Sequence, residues 1–252
     1  MKLAYNGAGF HGWQRQPNAV SVQQVLEEAL SVVCGGNVEI TGAGRTDTGV
    51  HAACMFAHFD LSDIPDTQVL IKSLNQMIGK NISVFSIFPV ADDAHARFDA
   101  VSRTYKYFIS YDKSPFMYPF CCFSHKELDL DGMNRAAELL LSTDDFTSFA
   151  KLHSDNKTNI CKVTEAFWSS IPIDDKKYSL PGFNGIVFTI TADRFLRNMV
   201  RAVVGTLVDV GSGKLSLQHF QDIINIKDRC KAGTSMPPQG LFLWNVEYPY
   251  IN

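Results

Sequence analysis

The sequence predicts an α+β protein built from two similar α/β subdomains, with mixed or antiparallel sheets meeting at a central cleft. Three observations carry this. The chain has 252 residues, of which 46% are hydrophobic and 19% charged, enough apolar material for one large domain or two moderate ones. Strand-like and helix-like periodicities alternate along both halves, with similar element content in each but no sequence repeat. No linker is rich enough in Pro or Gly to mark a flexible hinge, so the boundary is set where the first run of elements closes, giving subdomains 1–101 and 102–252.

In the first half, a short strand ends at Tyr5, and a loop follows through Phe10, His11, Trp13, Arg15 and Gln16. Val22, Val25, Leu26, Ala29, Leu30 and Val33 recur at helical spacing; Ser21 with Gln24 reads as a capping box, and Gly35-Gly36 as the stop. Val38 to Thr41 and His51 to Phe59 read as strands. Residues 67–78 read as a helix with Val69, Leu70, Ser73, Leu74 and Met77 inward, and Ile82 to Phe88 as a strand. In the second half, Arg103 to Ser110 is strand-like, and Asp131 is read as the cap of a helix bearing Met133, Ala136, Ala137, Leu140 and Leu141. Lys162 to Ile171 and Gly185 to Ala192 are strands around a polar hairpin with Asp174-Asp175-Lys176-Lys177. Helices follow near 194–209 and 216–226, and Leu241 to Tyr248 closes as a strand.

The run Gly44-Arg45-Thr46-Asp47-Thr48-Gly49-Val50-His51 puts a carboxylate and a guanidinium on a glycine-bracketed turn between two strands. An aspartate beside glycine is also an ordinary turn former. Leu196, Met199, Val200, Val203 and Leu207 make the apolar stripe of the 194–209 helix, while Arg194, Arg197 and Arg201, three then four apart, share another face. Stacked like charges cost roughly 0.2–0.5 kcal/mol per pair, so an anion, phosphate or the Asp47 carboxylate, is expected beside them; a solvated face with surface ion pairs is the plain alternative. Tyr105 and Tyr107 share a strand face with Arg103, as an aromatic packing pair would. The aromatic and basic loop 10–16 suits unpaired nucleotides, although Trp13 reads better as an anchor onto the core.

These stretches resemble the tRNA pseudouridine synthase A family. Gly44 to Ala52 is similar to its signature, and so, in order along the chain, are Phe10–Asn18, Ala96-Arg97-Phe98-Asp99-Ala100, Ser102-Arg103-Thr104-Tyr105, Asp144–Phe149, Phe195–Arg201 and Pro237-Pro238-Gln239-Gly240-Leu241. Asn6 departs from the family's usual aspartate. The resemblance implies the pseudouridine synthase fold. It also implies isomerisation of uridine to pseudouridine in the tRNA anticodon stem-loop (positions 38, 39 and 40), without cofactor, by a homodimer. Under it Asp47 is the nucleophile, attacking C6 of the base or C1′ of the sugar, Arg201 is its cationic partner, and Tyr105 stacks on the base and serves in proton removal. Arg45 takes the space vacated by a flipped nucleotide. His51, Arg15, Arg103, Arg194 and Arg197, with Arg97 as a candidate of either structural or binding role, hold the substrate.

Other readings are weaker. A net charge of −3 gives no hint of a nucleic-acid partner, though a basic cleft can sit on an acidic body. A non-catalytic RNA-binding module would use the same aromatic and basic surfaces but has no use for Asp47, which repels phosphate. A metal hydrolase would recruit Asp47, His51, His58 and Asp60, but strand parity puts His51 and His58 on opposite faces, so no metal is expected. Gly211-Ser212-Gly213-Lys214 lacks the spacing of a phosphate loop. The six cysteines include no Cys-x-x-Cys pair and read as free thiols of a soluble cytoplasmic protein, with neither signal-peptide run nor membrane span.

Overall fold

The computed structural model describes residues 1–61, 63, 66–152, 157–171 and 184–251. In chain order its elements are β1 (Lys2–Tyr5), α1 (Val22–Cys34), β2 (Thr41–Gly42), β3 (His51–His58), α2 (Thr67–Met77), β4 (Ile82–Ser86), β5 (Ser102–Ser110), β6 (Cys122–Phe123), α3 (Leu130–Glu138), β7 (Val163–Ile171), β8 (Gly185–Ala192), α4 (Met199–Gly211), α5 (Leu217–Ile226) and β9 (Leu241–Glu247). Mixed strand pairing and several helices make the chain α+β. The polar hairpin around Asp174-Asp175-Lys176-Lys177 lies outside the described residues.

Two compact units emerge: Met1–Val101 together with Phe242–Asn252, and Ser102–Leu241. Residues 242–252 therefore join the first half, whereas the sequence division had put them in the second. The reason is pairing: β9 runs parallel to β3, with His51 opposite Phe242 and Ala52 opposite Leu243.

In the first unit the strand order is β4-β1-β3-β9, with β2 added to β3. β1 is antiparallel to both β3 and β4. Helix α1 starts where Ser21 Oγ accepts the Gln24 N–H at 3.2 Å and stops at Gly35, φ 73°. Only that arm of the capping box forms, because the Gln24 amide donates instead to Glu28 Oε1 at 2.9 Å. In α2, Leu70 and Leu74 with Ile78 just beyond are buried, four residues apart on one stripe. Val69 and Met77, expected inward, sit off that stripe and are exposed. The expected strand at 38–41 shrinks to Thr41–Gly42, although Val38 and Ile40 are buried.

In the second unit β8 lies between β5 and β7, antiparallel to each, and β6 flanks β5. Every residue of β8 is buried, as a central strand covered on both faces requires. Helix α3 packs on β7, with Asn134 clamping both backbone groups of Trp168: its Oδ1 accepts the N–H at 2.7 Å and its Nδ2 donates to the carbonyl at 3.1 Å. The N-cap is Asp129, whose Oδ1 accepts the Gly132 N–H at 3.0 Å, rather than Asp131; the helix tightens after Glu138 and leaves Leu141 exposed.

The largest departure is α4, which begins at Met199 rather than near Arg194. Asn198 is left-handed, φ 64°, so no continuous helix runs through it. Arg194 and Arg197 thus lie in the turn before the helix, and the shared arginine face does not exist. No helix among the described residues is long and apolar enough to cross a membrane.

Candidate active site

Asp47 opens a four-residue turn closed by the Val50 N–H donating to the Asp47 carbonyl at 3.1 Å, with Gly49 at φ 77° in its third position. That φ is what a type II turn demands there, and glycine supplies it without strain. The loop of residues 7–13 clamps the turn. Gly49 N–H donates to the Phe10 carbonyl (3.2 Å), Trp13 N–H to the Thr46 carbonyl (3.3 Å), and the Tyr5 and Thr46 hydroxyls lie 2.8 Å apart. Trp13 is buried, as an anchor should be. Thr46 and Val50 are buried on either side, which leaves Asp47 half-buried on a backbone with few ways to move. Arg45 beside it is exposed.

Gly12 sets how closely the clamp approaches. It has φ 85°, and a Cβ there would stand 2.4 Å from the Thr46 carbonyl oxygen. Gly12→Ala is expected to lower stability by roughly 2–4 kcal/mol in urea titration, combining left-handed strain with overpacking, and to cut activity further by displacing the turn. Wild-type stability would show that the loop yields.

His51 packs within its own unit. It is buried, its Nδ1 accepts the Gly7 N–H at 3.0 Å, and its ring stacks on Phe242 with centroids 4.6 Å apart. In these contacts His51 packs, tying the strand after the Asp47 turn to β9 and to Gly7. Asn6, the departure from the family pattern, accepts the Ala8 N–H through Oδ1 at 3.1 Å, which an aspartate would do equally.

Arg15 also has a partner within its own unit. Its Nη1 lies 3.2 Å from Glu27 Oε2 and its Nη2 3.8 Å from Glu28. Glu27 is buried and its Oε1 also accepts from Gln23 Nε2 and the Ile40 N–H. Arg15 therefore caps a buried carboxylate that orders the loop–helix junction. Arg15→Ala is expected to lower stability by about 1–2 kcal/mol, since Glu27 keeps its other donors. Unchanged urea midpoints would show that the ion pair adds no stability.

Arg97 lies over the Phe98 ring, 5.7 Å from guanidinium carbon to centroid, in a turn fixed by Asp99. Asp99 Oδ2 accepts the His95 N–H at 2.6 Å and the Tyr250 hydroxyl at 2.9 Å, and these bonds, the backbone one first, hold the carboxyl below its ordinary range. Among the described residues no three His, Cys, Asp or Glu side chains converge as a metal ion needs.

In the second unit, Arg201 stands in the first turn of α4 and is tethered twice to one residue. Its Nε donates to the Met236 carbonyl at 2.6 Å, and the Met236 N–H donates to the Arg201 carbonyl at 3.0 Å. Tyr107 is fully buried and donates to the neighbouring Pro237 carbonyl at 2.8 Å. Burial pushes its phenol far above its usual range, so it is a packing residue and not a proton carrier. Tyr105, two residues earlier, is half-buried and meets the edge of Phe195, centroids 5.0 Å apart. Arg103 Nη1 donates to the Asp193 carbonyl at 2.8 Å, so Arg103, Tyr105, Arg194 and Phe195 gather where β5 begins and β8 ends. Arg197 is exposed, its carbonyl accepting the Lys151 N–H at 3.1 Å. Met236 and Asp193 carry no expectation from the sequence. Met236 acts through backbone atoms, which leave no residue signal; Asp193 does have one, an Asp at a strand end.

A family model described as tRNA pseudouridine synthase matches residues 136–249. The tRNA pseudouridine synthase A of Bacteroides thetaiotaomicron is 51% identical over 247 residues, covering 98% of this chain and 89% of that protein. That of Porphyromonas gingivalis is 51% identical over 249 residues, covering 98% and 95%. A more distant relative of the same name, from Neisseria gonorrhoeae, is 38% identical over 251 residues, covering 98% and 90%.

Proposed function

This chain belongs to the tRNA pseudouridine synthase A family, and from that premise we propose that it isomerises uridine to pseudouridine in the anticodon stem-loop of tRNA, with Asp47 as covalent catalyst. The observation that carries the reading is the clamped turn: an acid held half-buried on a rigid loop suits attack on an electrophile and is out of place on a surface meant only to grip phosphate. The chemistry must replace an N–C glycosidic bond by a C–C bond. Covalent attack by a carboxylate splits that step into easier ones. Asp47 bonds to C6 of the base or to C1′ of the sugar, the bond between N1 and C1′ breaks, and the uracil turns and rejoins through C5; the Asp47 bond is released in turn, displaced from C1′ by C5 or eliminated from C6, and N1 takes up a proton. The C5 proton then leaves, with Tyr105 stacked on the base and positioned to help take it.

Arg201 supplies the cation that stabilises charge on the reacting groups. Its double tether to Met236 supports this, because a fixed cation needs no reorganisation during reaction. The target nucleotide must leave the stem, an unstacking cost of a few kcal/mol, and Arg45 fills the vacated space. Arg103, Arg194 and Arg197 contact the backbone. The reading includes a cytoplasmic homodimer.

The test is tritium release from tRNA carrying uridine labelled at C5, incubated with the purified chain alone. Release at stoichiometry above one per chain supports isomerisation. Tight tRNA binding with no release would make the chain an RNA-binding module instead.

A further inference from the structure

The end of the second unit's sheet, where β8 stops and β5 and β7 start, is organised by one acidic residue. Ala192 pairs with Arg103 on one side and Val163 on the other. Asp193 comes next. Its Oδ1 accepts two backbone N–H groups, from Arg194 at 2.7 Å and from Lys162 at 2.8 Å. Its own N–H donates to the Lys162 carbonyl at 3.2 Å, and its carbonyl accepts Arg103 Nη1 at 2.8 Å. A single residue thus fixes three cationic residues drawn from three separate segments. Lys151 and Arg197, joined by the Lys151 N–H to the Arg197 carbonyl, add two more cations at the following turn. The acidic neighbour on β7 is Glu165, which accepts from the Thr191 hydroxyl at 2.8 Å. The same turn carries Phe195 against Tyr105.

We propose that Asp193 is a positioning residue that assembles Arg103, Lys162 and Arg194 into a binding edge for the phosphodiester backbone beside the target nucleotide. The inference rests on the tRNA reading above and adds to it Lys162 as a phosphate contact and Asp193 as its organiser. Charge complementarity selects the occupant. Three cations against two carboxylates, Asp193 with its Oδ1 already engaged by backbone donors and Glu165 bonded to Thr191, present a net positive edge on a chain whose total charge is −3. The positive surface is local, built by hydrogen bonds and invisible in the total.

Two accounts of Asp193 give opposite signs. If its charge matters, removing it strengthens binding of a polyanion. If its acceptor oxygen matters, removing that oxygen releases the turn and weakens binding. Asp193→Asn keeps Oδ1 and removes the charge; Asp193→Ala removes both. With tRNA as ligand and substrate, Asp193→Asn is expected to bind as wild type or a few-fold tighter. Asp193→Ala is expected to raise KM about tenfold with kcat within about threefold, and to flatten the dependence of log affinity on log salt by about one. Lys162→Ala, which alters only an exposed side chain, is expected to flatten it by about one as well, with an unchanged urea midpoint. Arg194→Ala should behave as Lys162→Ala does.

Wild-type or tighter affinity in Asp193→Ala, or an unaltered salt slope in Lys162→Ala, would overturn the inference while leaving isomerisation standing. Loss in Asp193→Asn equal to that in Asp193→Ala would also overturn it, since the acceptor would not be what counts. A wild-type chain unable to bind tRNA would sink this inference and the functional reading together.

Discussion

Asp47→Ala is expected to lower tritium release by at least ~10⁴-fold while tRNA affinity stays within a few-fold of wild type. Loss of a covalent nucleophile reaches this size where the remaining groups cannot substitute, and the rest of the site only binds and orients. Binding survives because the carboxylate repels phosphate, so its removal costs no contact to the backbone. Asp47→Asn is the sharper companion. It keeps size and hydrogen bonding, leaving the turn with its closing bond from Val50 to the Asp47 carbonyl intact. Residual turnover in Asp47→Asn above a thousandth of wild type would remove Asp47 from the nucleophile role, because an amide cannot attack at that rate.

Arg201→Lys is expected to fail as a rescue. Its kcat should fall about 10²–10³-fold, the usual loss when one preorganised charge is withdrawn from a reacting centre. Lysine keeps the positive charge but offers a mobile ammonium in place of the planar fork. Here the fork is aimed by its Nε–H on the Met236 carbonyl, a bond lysine's stem cannot copy. KM should change less than kcat, and the salt slope should stay as in wild type, which separates Arg201 from the phosphate-binding cations. Near-normal kcat in Arg201→Lys would mean that charge alone suffices and that the tether to Met236 has no bearing on rate.

Local signals read true where one side chain acts on its own backbone. Ser21 and Gly35 bound α1 as caps do, and the all-apolar run of β8 reads directly as a central strand. The glycine-bracketed turn at Asp47 is equally plain in sequence. Misreadings arise where tertiary partners decide. The stripe of Leu196, Met199 and Val200 imitates one helix across residues that in fact form a turn and then a helix. Asn198, a residue that enters the left-handed region readily, was the sign of the break. The packing partners of His51, Gly7 and Phe242, are 44 and 191 positions away and leave no local signal. The ion pair of Arg15 with Glu27, twelve residues on, likewise has no local signature. Val69 and Met77 differ from their buried neighbours by one step of 100°, finer than apolar periodicity resolves.

The parallel pairing of β9 with β3 has a bearing on biosynthesis. The second unit, residues 102–241, is one uninterrupted stretch, while the first unit draws on two stretches separated by those 140 residues. At roughly 5–20 residues per second, a ribosome takes on the order of ten seconds to translate the intervening stretch. Throughout that interval β3 lacks its β9 neighbour and His51 has no Phe242 to lie against. The later-made unit thus has all its strands before the earlier one does. The nascent chain spends those seconds with an unsatisfied strand edge next to the Asp47 turn, a window in which holdase chaperones would be expected to engage it.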